Sequence, residues 1–483
     1  MRPHLALAAA TLVSALLVAG CASTDGLSTQ ASLRDPNDFA AEKSLAAAPL
    51  SASAWPRNDW WTVFNDPQLD ALIDEALAES PTLRVAEART RKALAFAATS
   101  KAALYPQVNA DAAISRQRAP DHGLTPPPLG GEWGTLYQLQ ATLDWELDFW
   151  GKNRAAYESA LGQARAAEVD ADAARLALSV DIAQNYVQLH RAYLQLDVAQ
   201  ATLKEREQIY ALTRDRNAAG IDSRLELKQA EAALPATREQ VAQLQETVGL
   251  SRNALAALLG AGPDRGLALA RPVPNALRPV ALPSNIPAQL IGRRPDIVAQ
   301  RWRIEAASKD IASAKAAFYP DVNLVALIGL QSIGTAGLFS AASRMIGIGP
   351  AVSLPIFDGG RLRGNLAGTD ADYDIAVEQY NQLLANALRD IVDQLTSLAS
   401  VDVQHREQEQ ALADAQEAYD LALLRYREGI GNYLQVLSAE SPLLTQQSLE
   451  ADLRARDLAL SIGLVRALGG GFTPSDDPIA AAR

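Results

Sequence analysis

The chain holds a single cysteine, Cys21, in 483 residues, so no internal disulfide can form and packing alone must hold the fold. Histidine is almost as scarce: His4, His122, His190 and His405 stand alone along the chain. Neither an HExxH nor a CxxC spacing occurs, so a zinc ion has no ligand set. Basic runs are missing too, and in a chain of net charge −12 no basic stretch exists to neutralise a nucleic-acid backbone, which argues against nucleic acid as a partner. Gly260, Gly262 and Gly266 follow a helical pattern rather than a strand, a poor match to a phosphate-binding loop. Carboxylates scattered through an acidic chain mark no pocket. These absences argue against an enzyme, and no metal or cofactor is expected. Long apolar runs are also lacking, with one exception at residues 5–18.

That run is short for a helix that spans a bilayer. Arg2 precedes it, and Val18-Ala19-Gly20 closes it directly before Cys21. Residues 1–20 therefore read as a lipoprotein-type signal peptide, and Cys21 as the lipidated first residue of the mature chain. The alternative is an ordinary secretory signal with an incidental cysteine. A lone thiol in an oxidising compartment needs a reason, and a covalent lipid supplies one. Ala22, not Asp, follows the cysteine, which by resemblance to sorted lipoproteins directs the chain to the outer membrane. Residues 21–58, rich in Ala, Ser, Thr and Pro, read as a tether.

What the chain does have, it has twice. Ala102-Ala103-Leu104-Tyr105-Pro106-Gln107-Val108-Asn109 returns as Ala316-Ala317-Phe318-Tyr319-Pro320-Asp321-Val322-Asn323, an offset of 214 (319 − 105). Pro81 meets Pro295 at the same offset; Gly220-Ile221 returns as Gly429-Ile430, and Leu259-Gly260 as Leu468-Gly469, at 209. A period of this length is too long for a solenoid unit and describes a duplicated half-molecule. Residues 59–262 form the first repeat, 263–294 a Pro-, Gly- and Arg-rich surface linker, 295–471 the second repeat and 472–483 a disordered tail. Trp60, Trp61 and Phe64 read as packing anchors for the helix that follows.

Residues 135–148 alternate strictly, with Tyr137, Leu139, Ala141, Leu143, Trp145 and Leu147 on one face and polar residues on the other. Period two over this length is a strand able to cross a membrane when tilted. Its partner runs over residues 108–114, and the second copy gives strands over 322–330 and 346–354. A soluble sandwich is the competing reading. Aromatics at the strand ends (Tyr105, Trp133, Tyr137, Trp145, Phe149, Trp150, Phe318 and Tyr319) favour a membrane barrel with interfacial girdles. Four strands cannot close a barrel, and an open edge in lipid leaves backbone groups unpaired. The chain must share its barrel with copies of itself, in a number this argument leaves open.

After each strand pair the sequence predicts a helix of unusual length. Residues 153–217 contain no proline and only Gly162, with apolar residues recurring at seven (Val180, Val187, Leu194; Leu189, Leu196, Leu203, Tyr210). Residues 362–427 repeat this with Val377, Leu384, Ile391 and Leu398. Sustained heptads imply packing against equally long neighbours. Each helix turns at a glycine, Gly220 or Gly429, and returns through a shorter helix that Pro235 or Pro442 is expected to kink.

At this point the residues resemble a known family, the TolC-like outer-membrane factors of tripartite efflux pumps, in their OprM and NodT lipoprotein branch. The resemblance rests on Trp60-Trp61-Thr62-Val63-Phe64-Asn65-Asp66-Pro67, the run from Leu143 to Lys152, Gly292-Arg293-Arg294-Pro295-Asp296-Ile297, the run from Leu354 to Arg361, and Arg466-Ala467-Leu468-Gly469-Gly470-Gly471. It implies a mainly α chain with membrane β structure: a homotrimer whose shared twelve-stranded barrel (three copies of four strands) continues into a long periplasmic helical barrel. It also implies a passive duct docked to a periplasmic adaptor and to an inner-membrane pump, of either the resistance-nodulation-division or the major-facilitator class. The Asp148-Phe149-Trp150-Gly151-Lys152 form resembles members that handle aromatic acids and similar drugs. By the same resemblance Gly220, Ile221, Asp222, Gly429, Ile430 and Gly431 form adaptor-docking tips. Glu226, Tyr426, Gln435 and Ser438 fall at the channel constriction, Gln435 and Ser438 standing where relatives carry aspartates. There Glu226 is expected to supply the ring charge and to be latched by Tyr426. The exit duct of a type I protein secretion system has the same architecture and remains an alternative. A lipidated adaptor is the lesser one, since it would carry one hairpin rather than two.

Overall fold

The computed structural model describes residues 24–40, 42–45, 55–122, 130–274 and 286–474. Cys21, the signal segment and residues 475–483 of the expected tail lie outside them. Among the described residues seven helices of 13 residues or more carry the chain: α1 (Pro67–Glu79), α2 (Pro81–Ala102), α3 (Lys152–Ala218), α4 (Arg224–Leu258), α5 (Pro295–Ala316), α6 (Arg361–Arg427) and α7 (Tyr433–Ala467). Four strands separate them: β1 (Gln107–Arg118), β2 (Trp133–Glu146), β3 (Asp321–Ile333) and β4 (Arg344–Ser353). In the helices the duplication holds to the residue. α2 and α5 have 22 residues each, α3 and α6 have 67, and α4 and α7 have 35. At 1.5 Å per residue the longest run to about 100 Å.

The contacts divide the chain into two units, 1–33, 89–167 and 300–380 in one, and 34–88, 168–299 and 381–483 in the other. The first holds the sheet. Its four strands are antiparallel in the order β1-β2-β3-β4, so β1 and β4 are free edges. The register sets Val108 opposite Leu143, Leu143 opposite Ala326 and Ala326 opposite Ile348. One face therefore carries Val108, Ala110, Ala112 and Ile114; Leu139, Ala141, Leu143 and Trp145; Val322, Leu324, Ala326 and Ile328; and Ile346, Ile348, Pro350 and Val352. No polar residue interrupts this band, yet Ile346 and Ile348 are three-quarters exposed. The opposite face presents Asn109, Asp111, Gln138, Gln140, Thr142 and Asp144 on β1 and β2, and on β3 and β4 a mixture of Asn323 and Gln331 with Val325, Leu327, Met345 and glycines. An apolar face left uncovered on one side only fits a sheet bathed in lipid, not one half of a sandwich. β1 runs to Arg118 and β2 starts at Trp133, further than the side-chain alternation predicts, because ladder pairing continues past the alternating stretch to Arg118 opposite Trp133; at its other end β2 stops at Glu146, short of the predicted Asp148.

Each long helix leaves the sheet under an aspartate. The Asp148 carboxylate accepts from the amides of Asn153 and Arg154 at 3.1 and 2.8 Å, and Asp358 from Gly360 and Leu362 at 3.0 and 2.9 Å. These bonds satisfy donors that a helix start leaves open, and the Leu362 amide holds the Asp358 carboxyl below the usual carboxylate range. Gly151, Gly359 and Gly360 adopt positive φ to make the corners. Of the girdle aromatics, Trp150 stacks on Tyr319 at 4.8 Å and donates to the Pro320 carbonyl. Phe318 departs from the expectation: it is buried against Ile311, Leu362 and Leu366, because the turn before β3 directs its ring at α5 and α6.

The second unit holds the main core. Trp60, Trp61 and Phe64 are almost fully buried with Leu72 and Ile73, packed on Val180, Val187 and Leu189 of α3 and Leu255 of α4. Asp66 caps α1 and accepts from the Tyr186 hydroxyl at 2.7 Å. Residues 264–273, expected in the linker, are fastened here: Ala270 bonds to Gln68, and Arg271 pairs with Asp197. The end of each repeat lies against the N-terminal end of α2 or of α5. A Cβ on Gly260 would sit 2.3 Å from Pro81, and one on Gly469 would sit 2.0 Å from the Arg293 carbonyl. α4 and α7 run unbroken past Pro235 and Pro442, so neither proline ends its helix. No helix among the described residues is long and apolar enough to cross a membrane.

Candidate functional site

The helix reversals at Gly220 and Gly429 share one backbone design. Each glycine has φ near +75 to +80°, which an L side chain rarely adopts. The next two amides then fold back on one carbonyl, Ile221 and Asp222 on Arg216, Ile430 and Gly431 on Arg425. Satisfying the last carbonyls this way stops a helix cleanly. Ser223 and Asn432, equivalent at the 209 offset, then cap α4 and α7. Ile221 and Leu225 at the first reversal, and Ile430 and Leu434 at the second, are all more than three-fifths exposed. The same offset relates them, so each tip shows the same pair of apolar side chains.

Beneath this matched exterior the tips differ. Arg216 donates to both oxygens of Asp222 at 2.9 and 3.2 Å, with both side chains about nine-tenths buried. Its third nitrogen reaches the Tyr426 carbonyl at 3.0 Å, and its guanidinium lies 4.6 Å from the Tyr426 ring centroid. The fully buried Tyr426 hydroxyl donates to Asp222 at 2.6 Å, which leaves Thr213 to donate to the phenol oxygen at 2.7 Å. Burial first, and the Asp222 carboxylate second, push the phenol up to about 12, so it remains a donor at any physiological pH. Asn217 completes the knot by donating to the Asp222 carbonyl at 2.9 Å. At the 209 offset the second tip carries Arg425 for Arg216, Gly431 for Asp222 and Tyr426 for Asn217. It has no carboxylate at the position of Asp222, and its tyrosine enters the first tip instead. Deeper along the hairpins Arg206 binds Glu440 through two bonds of 2.8 and 3.1 Å and reaches Thr237, a second tie between the repeats.

The expected latch from Glu226 to Tyr426 is not formed. Glu226 accepts from the Ser223 amide at 2.9 Å and from the Ser223 hydroxyl, closing a capping box, and this hydroxyl bond holds its carboxyl below the usual range. Its charge is spent on the first turn of α4, and Asp222 takes the place beside Tyr426. Asp222, expected on the docking surface, is accordingly turned inward. Gln435 and Ser438 are exposed on α7, Ser438 donating back to the Leu434 carbonyl at 2.8 Å. Arg216 and Thr213 escaped the sequence reading. The mismatch of Asp222 with Gly431, two positions past a matched glycine, was the available signal.

Glu226→Gln keeps the shape of the capping box and removes its charge. We expect a loss of about 0.5 kcal/mol at neutral pH, at the low end because the carboxylate stands in solvent. A carboxyl depressed in the folded state stabilises above its ordinary pKa and ceases to as pH falls through the depressed value. The difference between the two proteins should therefore vanish in acid, as read by amide exchange in the first turn of α4.

Among the described residues no group of three or more His, Cys, Asp or Glu side chains is placed to hold a metal ion. The comparisons agree with a duct. The model of a family described as outer membrane efflux protein matches twice, over residues 72–261 and 286–470, once per repeat. The chain is 40% identical over 372 residues to the fusaric acid resistance protein FusA of Burkholderia cepacia, covering 76% of this chain and 69% of that protein. It is 34% identical over 478 residues, 95% of each, to the multidrug resistance outer membrane protein MdtP of Escherichia coli K12. Among solved structures the outer membrane protein VceC of Vibrio cholerae superposes with a TM-score of 0.80 at 38% identity, covering 86% of this chain and all of that one.

Proposed function

This chain belongs to the outer membrane efflux protein family, and on that footing we propose that it is the exit duct of a tripartite pump for drugs and aromatic acids. Three copies close the barrel, and their six tips face the periplasm. There they seat an adaptor that couples the duct to an inner-membrane pump of the resistance-nodulation-division or major-facilitator class. The observation that carries the reading is the matched exposure of Ile221 with Leu225 and of Ile430 with Leu434. Each hairpin ends in the same apolar pair, as a repeated contact with one partner requires. The likeness to a fusaric acid resistance protein supports an aromatic acid as cargo. The test is capture of the adaptor made by the same host. Ile221→Asp with Ile430→Asp should abolish it while leaving trimers intact. Undiminished capture, or capture of a protease-secretion adaptor instead, would sink the proposal.

Cys21 anchors the mature chain through a covalent lipid. Cys21→Ser should abolish labelling with a radioactive fatty acid, and full labelling of that variant would refute the anchor.

A further inference from the structure

Arg116 and Arg344 stand on the apolar face of the sheet, one on each free edge strand. Arg116 is nine residues from the helix-side end of β1 (116 − 107), and Arg344 is nine from that of β4 (353 − 344). Counted from those ends they share one height, just beyond the last apolar residues of their strands, Ile114 and Ile346; the register sets Arg344 in one row with Leu330, Leu139 and Ala112, four residues from Arg116 (116 − 112), a stagger of the kind that tilted barrel strands carry. Eight strand residues at ~3.4 Å, tilted by ~40°, place that level roughly 20 Å above the innermost apolar row, near the outer margin of a membrane band of ~25 Å. Both side chains are exposed, and among the described residues neither has a carboxylate partner. Arg118, one row further out, is paired with Asp121 at 3.1 Å. Glu132, the other carboxylate of the outer loops, precedes β2 and stands five residues beyond the arginine level (14 − 9, counted from Glu146).

Closing the barrel with copies changes the meaning of these positions. A ring of three identical chains joins head to tail, so β4 of one protomer lies beside β1 of the next. Two unpaired guanidiniums then meet at every seam, on strands about 4.8 Å apart, facing lipid. Like charges on adjacent strands repel, and no side chain at this height answers them: counted from the helix-side ends, the same position is Tyr137 on β2 (146 − 9) and Leu330 on β3 (321 + 9). A phosphate answers them well, because two guanidiniums can each offer it paired N–H donors.

We infer that each protomer seam binds a phosphate group of an outer-leaflet lipid between Arg116 of one chain and Arg344 of the next. The inference rests on the three-chain duct proposed above. Its acyl chains lie on the apolar band, and the arginine stems reach up beside them with their heads at the interface. The lipid then acts as mortar, turning a repulsive seam into a bridged one.

The delipidated protein in detergent is titrated with bisphosphorylated lipid A, with the same lipid dephosphorylated, and with inorganic phosphate. Native mass spectrometry counts chains and lipids, and the midpoint of heat dissociation to monomers is read in parallel. The phosphorylated lipid should bind up to three per trimer and raise the midpoint. The dephosphorylated lipid should bind at least about tenfold more weakly. Arg116→Gln with Arg344→Gln should lose the preference for phosphate, and Arg116→Lys with Arg344→Lys should keep part of it. Arg344→Glu, which sets a carboxylate opposite Arg116, should give a trimer whose midpoint no longer responds to lipid. Equal binding of both lipids, wild-type binding by the glutamine variant, or equal protection by inorganic phosphate would overturn the lipid bridge. An intact trimer indifferent to phosphate defeats this inference alone; a chain that is not trimeric defeats the duct as well.

Discussion

Ile348→Arg should prevent the trimer from assembling in the membrane. Ile348 lies five residues from the helix-side end of β4 (353 − 348), midway along the uninterrupted apolar band and three-quarters exposed. An arginine at the bilayer midplane of a barrel costs ~2–4 kcal/mol, and three copies raise this to roughly 6–12 kcal/mol per assembly. That is comparable to the whole stability of an ordinary domain. Gln140→Arg is the control on the opposite face. It adds the same charge, but its cross-strand partner is Asp111, and an opposite-charge pair at that distance is mildly favourable. Heat-modifiable trimers on a gel separate the outcomes. Trimers of Ile348→Arg as abundant as wild type would mean that this face does not meet lipid.

Asp222→Ala should free the two tips of one chain from each other. Among the described residues it removes the one carboxylate that pairs with Arg216, whose side chain is about nine-tenths buried, and takes the acceptor from the Tyr426 hydroxyl. Leaving a buried charge without its partner costs ~3–5 kcal/mol. The loosened knot should appear as a larger open fraction and higher mean conductance of single channels in planar bilayers. Tyr426→Phe should have a smaller effect, ~1.5–3 kcal/mol, because Arg216 still neutralises Asp222. Changing Glu226 should leave conductance as it was, since it braces one helix start. If Asp222→Ala conducts like wild type, the tie between the hairpins does not hold the tips.

Much of this architecture was legible because it is written in short periods. Leu143 and its alternating neighbours named the lipid face, and the recurrence of Val180 with Val187 named the buried stripe of α3. Copying also helped: α6 matches α3 in length because the second half repeats the first. The contacts that escaped join residues far apart in sequence without any period. Nothing around Thr213 or Arg216 announces a tyrosine 210 residues away (426 − 216). Glu226 misled for a related reason. A carboxylate three residues after a serine is a capping box in its own right, and that local demand outbid the distant one. Phe318 failed likewise, since an aromatic beside a strand is a girdle residue only if no core lies closer. Cys21 stands outside the described residues, so its lipid rests on the sequence alone.

Joining two half-length units into one chain changes what selection can vary. Six separate copies of one hairpin would carry identical residues at every tip, and any charge introduced would appear six times around the ring. Once fused, neighbouring tips belong to different positions in one gene and can drift apart. Asp222 beside Gly431, and Asn217 beside Tyr426, are the trace of that freedom: a donor on one hairpin, an acceptor on the next. Halving the symmetry order turned a ring of like elements into alternating lock and key.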